Sequence, residues 1–125
     1  MALPASRPSG QTDRQVTGAA AEQSALDYLA QQHLRLVMRN FRCKGGEIDL
    51  VMQDGEVLVF VEVRWRASAQ FGGAAASVTR SKQNRLIIAA HTFLARYRAP
   101  PPCRFDVVAF ESGRMVWLKN AIEAG

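Results

Sequence analysis

A hairpin signal at the centre of the chain constrains the fold more than any other feature. The segments GEIDLVMQ (residues 46–53) and EVLVFVEVRWR (residues 56–66) flank the dipeptide Asp54-Gly55. Asp-Gly between two segments rich in β-branched and aromatic residues predicts a two-residue turn of type I′. The chain must therefore build a sheet around two long antiparallel strands.

The predicted hairpin places several acidic residues on one face of the sheet. With Asp54-Gly55 as the turn, Asp49 lies opposite Phe60 and Glu47 lies opposite Glu62. Asp49 and Glu62 then become diagonal neighbours about 7–8 Å apart, a separation that two carboxylates can span to hold one cation. Because faces alternate along each strand, one face carries Glu47, Asp49, Phe60, Glu62 and Arg64, and the other directs Ile48, Leu50, Val59, Val61, Val63 and Trp65 into a core.

Two interpretations of this acidic face follow from the pattern. In the first, the face is open to water and the acids pair with Arg42, Arg64 or Arg66. In the second, Asp49 and Glu62 bind a divalent cation next to a substrate phosphate, since carboxylate oxygens are the ligands that Mg²⁺ takes when it also binds phosphate. The pattern alone does not decide between them.

Periodicity and turn residues predict the remaining elements. A helix is expected from Ala19 to His33 with Thr17 as its N-cap, and a second helix from Ser77 or Thr79 to about Tyr97. Further strands are expected at residues 36–42, 103–111 and 114–119, with a loop over residues 67–76. The predicted order α-β-β-β-α-β-β describes an α/β fold with a mixed five-stranded central sheet and two main helices, one on each face or both on one.

The length of 125 residues fits a single domain. Residues 1–18 contain few large apolar side chains and are expected to form a disordered tail, residues 19–119 the domain, and residues 120–125 a C-terminal tail. No apolar run is long enough for a signal peptide or a membrane span, so a cytoplasmic protein without a membrane partner is expected. Cys43 and Cys103 are then expected to be free thiols.

The charge balance indicates a polyanionic partner. The net charge is +5, the pI is near 9.9, and 13 of the 16 cations are arginine, whose planar guanidinium suits contact with phosphate. Such contacts position a nucleic acid without reading its sequence; the alternative for the cations of the second helix is a solvated surface. The candidate nucleic-acid-binding residues are Arg42, Lys44, Arg66, Arg80, Lys82 and Arg85, with Arg39 as a further member.

Four motifs carry a family resemblance that runs from about Gly18 to Trp117. They are GEIDLV (residues 46–51), VFVEVR (59–64), FGGAAASV (71–78) and RFDVV (104–108). In these motifs the chain resembles the PD-(D/E)XK nuclease superfamily and, more closely, the YraN family of small bacterial proteins. The resemblance implies a single restriction-endonuclease-like domain and a similarity to archaeal Holliday-junction resolvases.

The resemblance also implies a site. Asp49 and Glu62 would be the metal-binding acids, and Glu22 would match the helical glutamate of the resolvases, whereas the pattern alone makes Glu22 a partner of the helix dipole. Glu47 belongs to the family motif and is a candidate for supporting the metal ligands. Arg64 stands where the superfamily has a catalytic lysine; it can stabilise a phosphate as a fixed cation but does not readily serve as a base.

The function implied is a Mg²⁺- or Mn²⁺-dependent endonuclease that acts on branched or structured DNA, with DNA favoured over RNA. Two alternatives stay open: a catalytically inactive DNA- or RNA-binding accessory module, and a protein-binding domain whose acids pair with its own arginines. Resolvases act as dimers, so a homodimer and a place in a repair or recombination complex are also open. Trp65 and Trp117 are expected in the core, and neither His33 nor His91 is expected to act in a site.

Overall fold

The computed structural model describes residues 13–66, 78–111 and 113–123, with the side chains of residues 13–17 and 66 outside that description. The FGGAAASV motif therefore lies outside the described residues except for Val78. The elements in chain order are α1 (Asp13–Gln31), β1 (Arg35–Cys43), β2 (Gly46–Asp54), β3 (Val57–Arg66), α2 (Arg80–Leu94), β4 (Cys103–Glu111) and β5 (Arg114–Leu118).

The five strands form one mixed sheet in the order β1-β2-β3-β4-β5. All neighbouring pairs are antiparallel except β3 and β4, which run parallel. A parallel pair requires a crossover connection, and α2 lies in that connection between β3 and β4. The predicted α/β class, the order of elements and the mixed five-stranded sheet are confirmed.

Each face of the sheet is covered by one helix. On the α2 face, Phe93 and Leu86 pack with Phe60 and Val107 in one apolar cluster. On the α1 face, Ala25 and Leu29 pack with sheet residues that alternate with the first set; they include Leu50, Met52, Val59, Val61 and Val108. Each fully buried Leu or Phe side chain contributes about 1.5–3 kcal/mol to folding. The sheet face that carries Phe60 and Glu62 thus lies toward α2.

The central hairpin turns at Gly55-Glu56 rather than at Asp54-Gly55. Asp54 pairs with Val57 and Leu50 pairs with Val61, so the register differs by two residues from the predicted one. Gly55 has a φ of 60° and Glu56 is outside the residues with positive φ. Positive φ at the first central position alone is typical of a type II′ turn, which prefers glycine there. A shift of two residues keeps the predicted faces where the two strands pair. Ile48, which lies before the paired segment and was predicted on the face opposite Phe60, packs with Phe60 in the α2-side cluster.

Helix α1 begins earlier than predicted, at Asp13, so Thr17 lies inside the helix. The helix ends in a Schellman motif: His33 has a φ of 73°, its N–H donates to the Ala30 carbonyl, and the Leu34 N–H donates to the Leu29 carbonyl. His33 therefore has a capping role. No described helix has the length and apolarity required to cross a membrane.

Helix α2 has Thr79 as its N-cap, whose hydroxyl accepts from the Lys82 N–H at 3.2 Å. The helix ends at Leu94, three residues before the predicted end, and Arg96 covers its last turn by stacking 4.1 Å from the centroid of the Phe93 ring. Packing extends beyond the predicted domain boundary at residue 119, because Ile122 is buried against the α2-side cluster.

Asp106, in the RFDVV motif, is the centre of a buried hydrogen-bond network. Its fully buried carboxylate accepts from Arg104 Nε at 3.0 Å, from Trp117 Nε1 at 3.0 Å and from the Asn120 N–H at 2.8 Å. Arg104 also pairs with Asp54 at 3.0 Å. A buried carboxylate is stable only when charged or polar donors satisfy it. Asp106 therefore connects β4 to β5 and to the central hairpin, and its role is structural.

Candidate functional site

The site is built where β2 and β3 separate. The two strands pair from Asp54↔Val57 to Leu50↔Val61; beyond that point β2 continues its pairing with β1, and β3 with β4. The Val63 N–H, which has lost a backbone partner on β2, donates to Asp49 Oδ2 at 2.8 Å. The Asp49 carboxylate thus replaces a carbonyl of the ladder and is fixed at the point of divergence.

Asp49 and Glu62 are two interacting carboxylates in a poorly hydrated place. Glu62 is buried, with 9% of its surface exposed. Burial, followed by the charge of Asp49, raises the pKa of Glu62 from 4.5 to about 8. Burial, opposed by the Val63 hydrogen bond, raises the pKa of Asp49 from 3.8 to about 6. Because the charge of Asp49 raises the pKa of Glu62, the two carboxylates form a site that favours a cation or a proton between them.

An open cleft of about 230 Å³, part of it continuous with solvent, lies against Glu62. Glu62, Glu47, Lys82 and Arg85 line it. Arg85 Nη2 lies 3.3 Å from Glu47 Oε1, and both side chains are about half exposed. The cleft is therefore charged, with carboxylates from the sheet and cations from α2 on opposing sides.

Glu22 reaches the same region from α1. Its Oε1 accepts from Asn40 Nδ2 at 3.1 Å and from Arg39 Nη2 at 3.5 Å, and its charge raises the pKa of Asp49. Asn40 adopts a left-handed conformation, with a φ of 51°, which asparagine tolerates better than most residues. Since α1 begins at Asp13, Glu22 lies in the third turn, where a helix-dipole role does not apply. Contacts with β1 hold this side chain.

Arg64 contributes charge but lies outside the residues that line the cleft. Its guanidinium lowers the pKa of Glu62. The side chain is half-buried, and its Nε has no hydrogen-bond partner in the described part of the chain. Arg64 is thus a neighbour of Glu62, while the cleft itself receives its cations from α2.

The structure corrects the predicted position of Glu47. This residue pairs with Arg42 across the β1–β2 ladder and does not lie opposite Glu62. It still raises the pKa of Asp49 and Glu62. Glu47 thus belongs to the charged surroundings of the pair, on the side of β1 and α2.

Most of the predicted nucleic-acid-binding side chains are exposed. Arg39, however, donates to Gln23 and Glu22 of α1, so its guanidinium is engaged in hydrogen bonds within the protein. The side chain of Arg66 lies outside the described residues. The exposed cations are Arg42 and Lys44 near the β1–β2 turn and Arg80, Lys82 and Arg85 on α2.

Two residues differ in the structure from what the sequence predicts. Trp65 was expected in the core but is 51% exposed, because it lies near the end of β3. Lys82 was expected only as a phosphate contact, yet it acts electrostatically on both Asp49 and Glu62. A basic residue at the third position of α2 was the available signal, but spacing alone does not tell what that position faces. Cys43 and Cys103 are free, as predicted.

The donor chemistry fits a hard divalent cation with few protein ligands. In the described residues no group of three His, Cys, Asp or Glu side chains is arranged to bind one metal ion. Asp49 and Glu62 supply two carboxylates, and Mg²⁺ commonly takes one or two carboxylates and completes its six positions with water and phosphate. The pair fits such an ion, and the described residues supply no third carboxylate, His or Cys ligand that would enclose it.

The comparisons with known proteins agree on one family. The profile of the Uncharacterised protein family UPF0102 matches residues 21–110. The chain belongs to this family. A UPF0102 protein of Janthinobacterium sp. (strain Marseille) is 64% identical over 125 residues, covering 99% of this chain and 100% of that protein.

Other UPF0102 relatives show similar coverage. A protein of Herminiimonas arsenicoxydans is 62% identical over 124 residues, covering 99% of this chain and 100% of the relative. One from Bordetella parapertussis is 56% identical over 126 residues, covering 96% of this chain and 71% of the relative. The UPF0102 match confirms the predicted YraN-family resemblance, and it includes Glu22, Asp49, Glu62, Arg64 and Lys82.

Proposed function

We propose that this protein is a divalent-metal-dependent phosphodiesterase that cleaves DNA, with Asp49 and Glu62 as the metal-binding residues. The observation that carries the proposal is the pair of interacting carboxylates at the divergence of β2 and β3, next to a cleft with cations on its far side. Buried like charges cost free energy unless a cation compensates them. The hydrogen bond from the Val63 N–H gives Asp49 a structural role. It does not explain why Glu62 is buried beside Asp49.

Each side chain has a defined task in the proposed reaction. Asp49 and Glu62 would hold Mg²⁺ or Mn²⁺, which when bound polarises a phosphoryl oxygen and acidifies water. Glu22, fixed by Asn40 and Arg39, would orient water in the remaining coordination positions. Arg64 would stabilise negative charge near Glu62 as a fixed guanidinium.

The proposed reaction is hydrolysis. A water oxygen forms a new bond to phosphorus, and one P–O ester bond breaks. The leaving oxygen takes up a proton, and the attacking water gives one to solvent. No oxidant or second substrate is required.

The charge distribution supports a nucleic-acid substrate. The net charge is +5, and exposed cations lie on the β1–β2 turn and at the start of α2, beside the cleft. A positive surface next to a phosphodiester-binding site raises the local concentration of polyanions. We propose branched or structured DNA as the substrate class on the basis of the resemblance to junction resolvases, with action as a homodimer within DNA repair or recombination.

Removing either carboxylate tests the proposal. We expect Asp49→Asn and Glu62→Gln each to lower cleavage of a labelled four-way junction in Mg²⁺ or Mn²⁺ by about 100-fold or more. Both should also weaken metal binding in calorimetry. Glu56→Gln, which removes an exposed acid from the turn of the same hairpin, is the matched control and should cleave like the unmodified chain. Cleavage that survives either substitution in the site would contradict the proposal.

One observation favours a second candidate, a nucleic-acid-binding module without catalysis. Arg64 stands in the lysine position and cannot easily exchange a proton. This candidate predicts DNA or RNA binding with a steep salt dependence, no heat on metal addition and no cleavage with either cation. The same calorimetric and cleavage measurements therefore separate the two functions.

A further inference from the structure

The cleft contains a lysine that comes from α2 and not from the strand that carries Glu62. Lys82 lines the cleft together with Glu62. Its charge lowers the pKa of both Asp49 and Glu62. Lys82 therefore acts electrostatically on both members of the pair. Lys82 is thus placed to face the same region as the two carboxylates.

The position of Lys82 in α2 is unfavourable for helix stability. With Thr79 as N-cap, Lys82 occupies the third position of the helix, where a capping box has glutamate or glutamine. The first turn contains no acidic residue, although acids there would interact favourably with the helix dipole and cations unfavourably. Helix stability therefore does not explain a lysine at this position, whereas an anionic partner in the cleft does.

Arg64 is less well placed for direct contact with a ligand in the cleft. It lies outside the four lining residues in the described structure, and its buried Nε has no described partner. Its charge lowers the pKa of Glu62. The Arg64 side chain is half-buried, while the Lys82 side chain is exposed and lines the cleft.

We propose that Lys82 is the catalytic lysine of this site and contacts the scissile phosphate from the α2 side, opposite Asp49 and Glu62. This inference deepens the proposed function and rests on it. The ammonium group donates hydrogen bonds to a nonbridging phosphate oxygen, where negative charge accumulates as water attacks phosphorus. The superfamily's strand lysine is replaced in function by a lysine from the crossover helix, and Arg64 keeps an electrostatic role.

Single-turnover cleavage at saturating protein tests this assignment, since it separates the chemical step from DNA binding. Lys82→Met should lower the saturated cleavage rate of a labelled four-way junction by about 100-fold or more, the usual effect of losing one charge-stabilising donor. Its Kd for the junction should change by only a few-fold. Raising Mn²⁺ to saturation should not restore the rate, which excludes weakened metal binding as the cause.

Two further variants serve as comparisons. Lys82→Arg keeps the charge with a different geometry and should recover part of the rate, to within about tenfold of the unmodified chain. Arg98→Met removes the same charge from an exposed position beyond the other end of α2 and should change neither rate nor Kd. Thermal unfolding of all three variants checks that the fold is retained.

The outcomes distinguish this inference from the proposed function. If the unmodified chain cleaves and Lys82→Met cleaves within about threefold of it at saturation, the assignment of Lys82 is overturned and the proposed function stands. If the loss in Lys82→Met disappears at saturating protein, Lys82 only binds DNA and the assignment is again overturned. If the unmodified chain cleaves no DNA with Mg²⁺ or Mn²⁺, the proposed function fails first and the role of Lys82 with it.

Discussion

At the scale of single residues, burial and mutual repulsion distinguish Asp49 and Glu62 from the exposed acids of the chain. Asp49 is stabilised in part by the Val63 N–H, whereas no described hydrogen bond or ion pair compensates Glu62. Repulsion between buried charges costs stability, so the site is maintained at the expense of the fold. Asp106 is the contrasting case, since its buried carboxylate is fully satisfied by Arg104, Trp117 and Asn120.

The raised pKa of Glu62 predicts a pH dependence of folding. Its pKa rises from 4.5 to about 8 through burial and the charge of Asp49. The folded state therefore binds the proton more tightly than the unfolded state, and the stabilisation present below pH 4.5 is lost as the pH rises to about 8. Glu62→Gln carries no charge in either state, so above pH 8 it should be more stable than the unmodified chain, by on the order of 3 kcal/mol.

Urea unfolding of both proteins at several pH values measures this difference. The two stability curves should converge near pH 4 and separate as the pH rises. Glu56→Gln, in the exposed turn, should follow the unmodified chain throughout. Parallel curves for Glu62→Gln and the unmodified chain would show that Glu62 is not an uncompensated buried acid.

Which of these residues act together was only partly visible in the sequence. Alternation along two strands was enough to predict that Asp49, Glu62 and Arg64 lie near one another, and the charges of Asp49 and Arg64 both act on Glu62. The sequence did not reveal that Lys82 points toward them, because helical spacing fixes which residues share a face of α2 but not what that face meets. Trp65 was misassigned for a similar reason: alternation predicts a face, and exposure depends on where α1 and the strand ends lie.

At the scale of elements, the contact of α2 with β2 fixes the cleft. Gly46, the first residue of β2, packs so closely under α2 that an added Cβ would overlap the Arg85 carbonyl oxygen and lie 2.8 Å from the Ala89 nitrogen. Both neighbours are backbone atoms, which cannot move without displacing the helix. The separation of β2 from α2, and with it the position of Lys82 and Arg85, therefore depends on this glycine.

Gly46→Ala is accordingly predicted to destabilise the protein by about 1–3 kcal/mol or more, the range for overpacking a tight contact. Gly18→Ala is the matched control: Gly18 lies inside α1 with no atom within 4 Å of an added Cβ. Because alanine favours a helix interior, that variant should gain about 0.5–1 kcal/mol. Chemical denaturation measures both, and equal effects of the two substitutions would contradict the close packing at Gly46.

The order and location of the elements were predictable from alternation, helical spacing and turn residues. The hairpin register was not, because Asp-Gly is compatible with two turns: Gly55 takes the first central position of the observed turn and the second of the predicted one. The predicted start of α1 is wrong because Thr17, a good N-cap residue, instead lies inside a helix that begins at Asp13. Short-range patterns predict local structure. Register and helix ends depend on competition between alternative turns, or alternative helix ends, of similar free energy.

At the scale of the whole molecule, the sheet and the two helices combine opposite charges in a small region. The acids lie at the point where β2 and β3 diverge, and the exposed cations lie around them on the β1–β2 turn and the start of α2. A polyanion that approaches the molecule meets the cations first. A divalent cation at Asp49 and Glu62 would offset their negative charge and make the centre of this region more attractive to phosphate.

This arrangement predicts binding of duplex DNA that depends on salt and on metal separately. Each phosphate neutralised by a cation contributes about −0.9 to the slope of log K against log salt. The double variant Arg42→Met/Lys44→Met should therefore reduce the magnitude of that slope by about 2 and weaken binding to all DNA sequences alike. Anisotropy titrations over a range of NaCl concentrations measure the slope, with Arg98→Met as a cation-removing control. If that single-charge control reduces the slope by half as much as the double variant does, each cation counts alike. Binding then follows net charge alone, and the cations around the cleft do not form a defined surface for DNA.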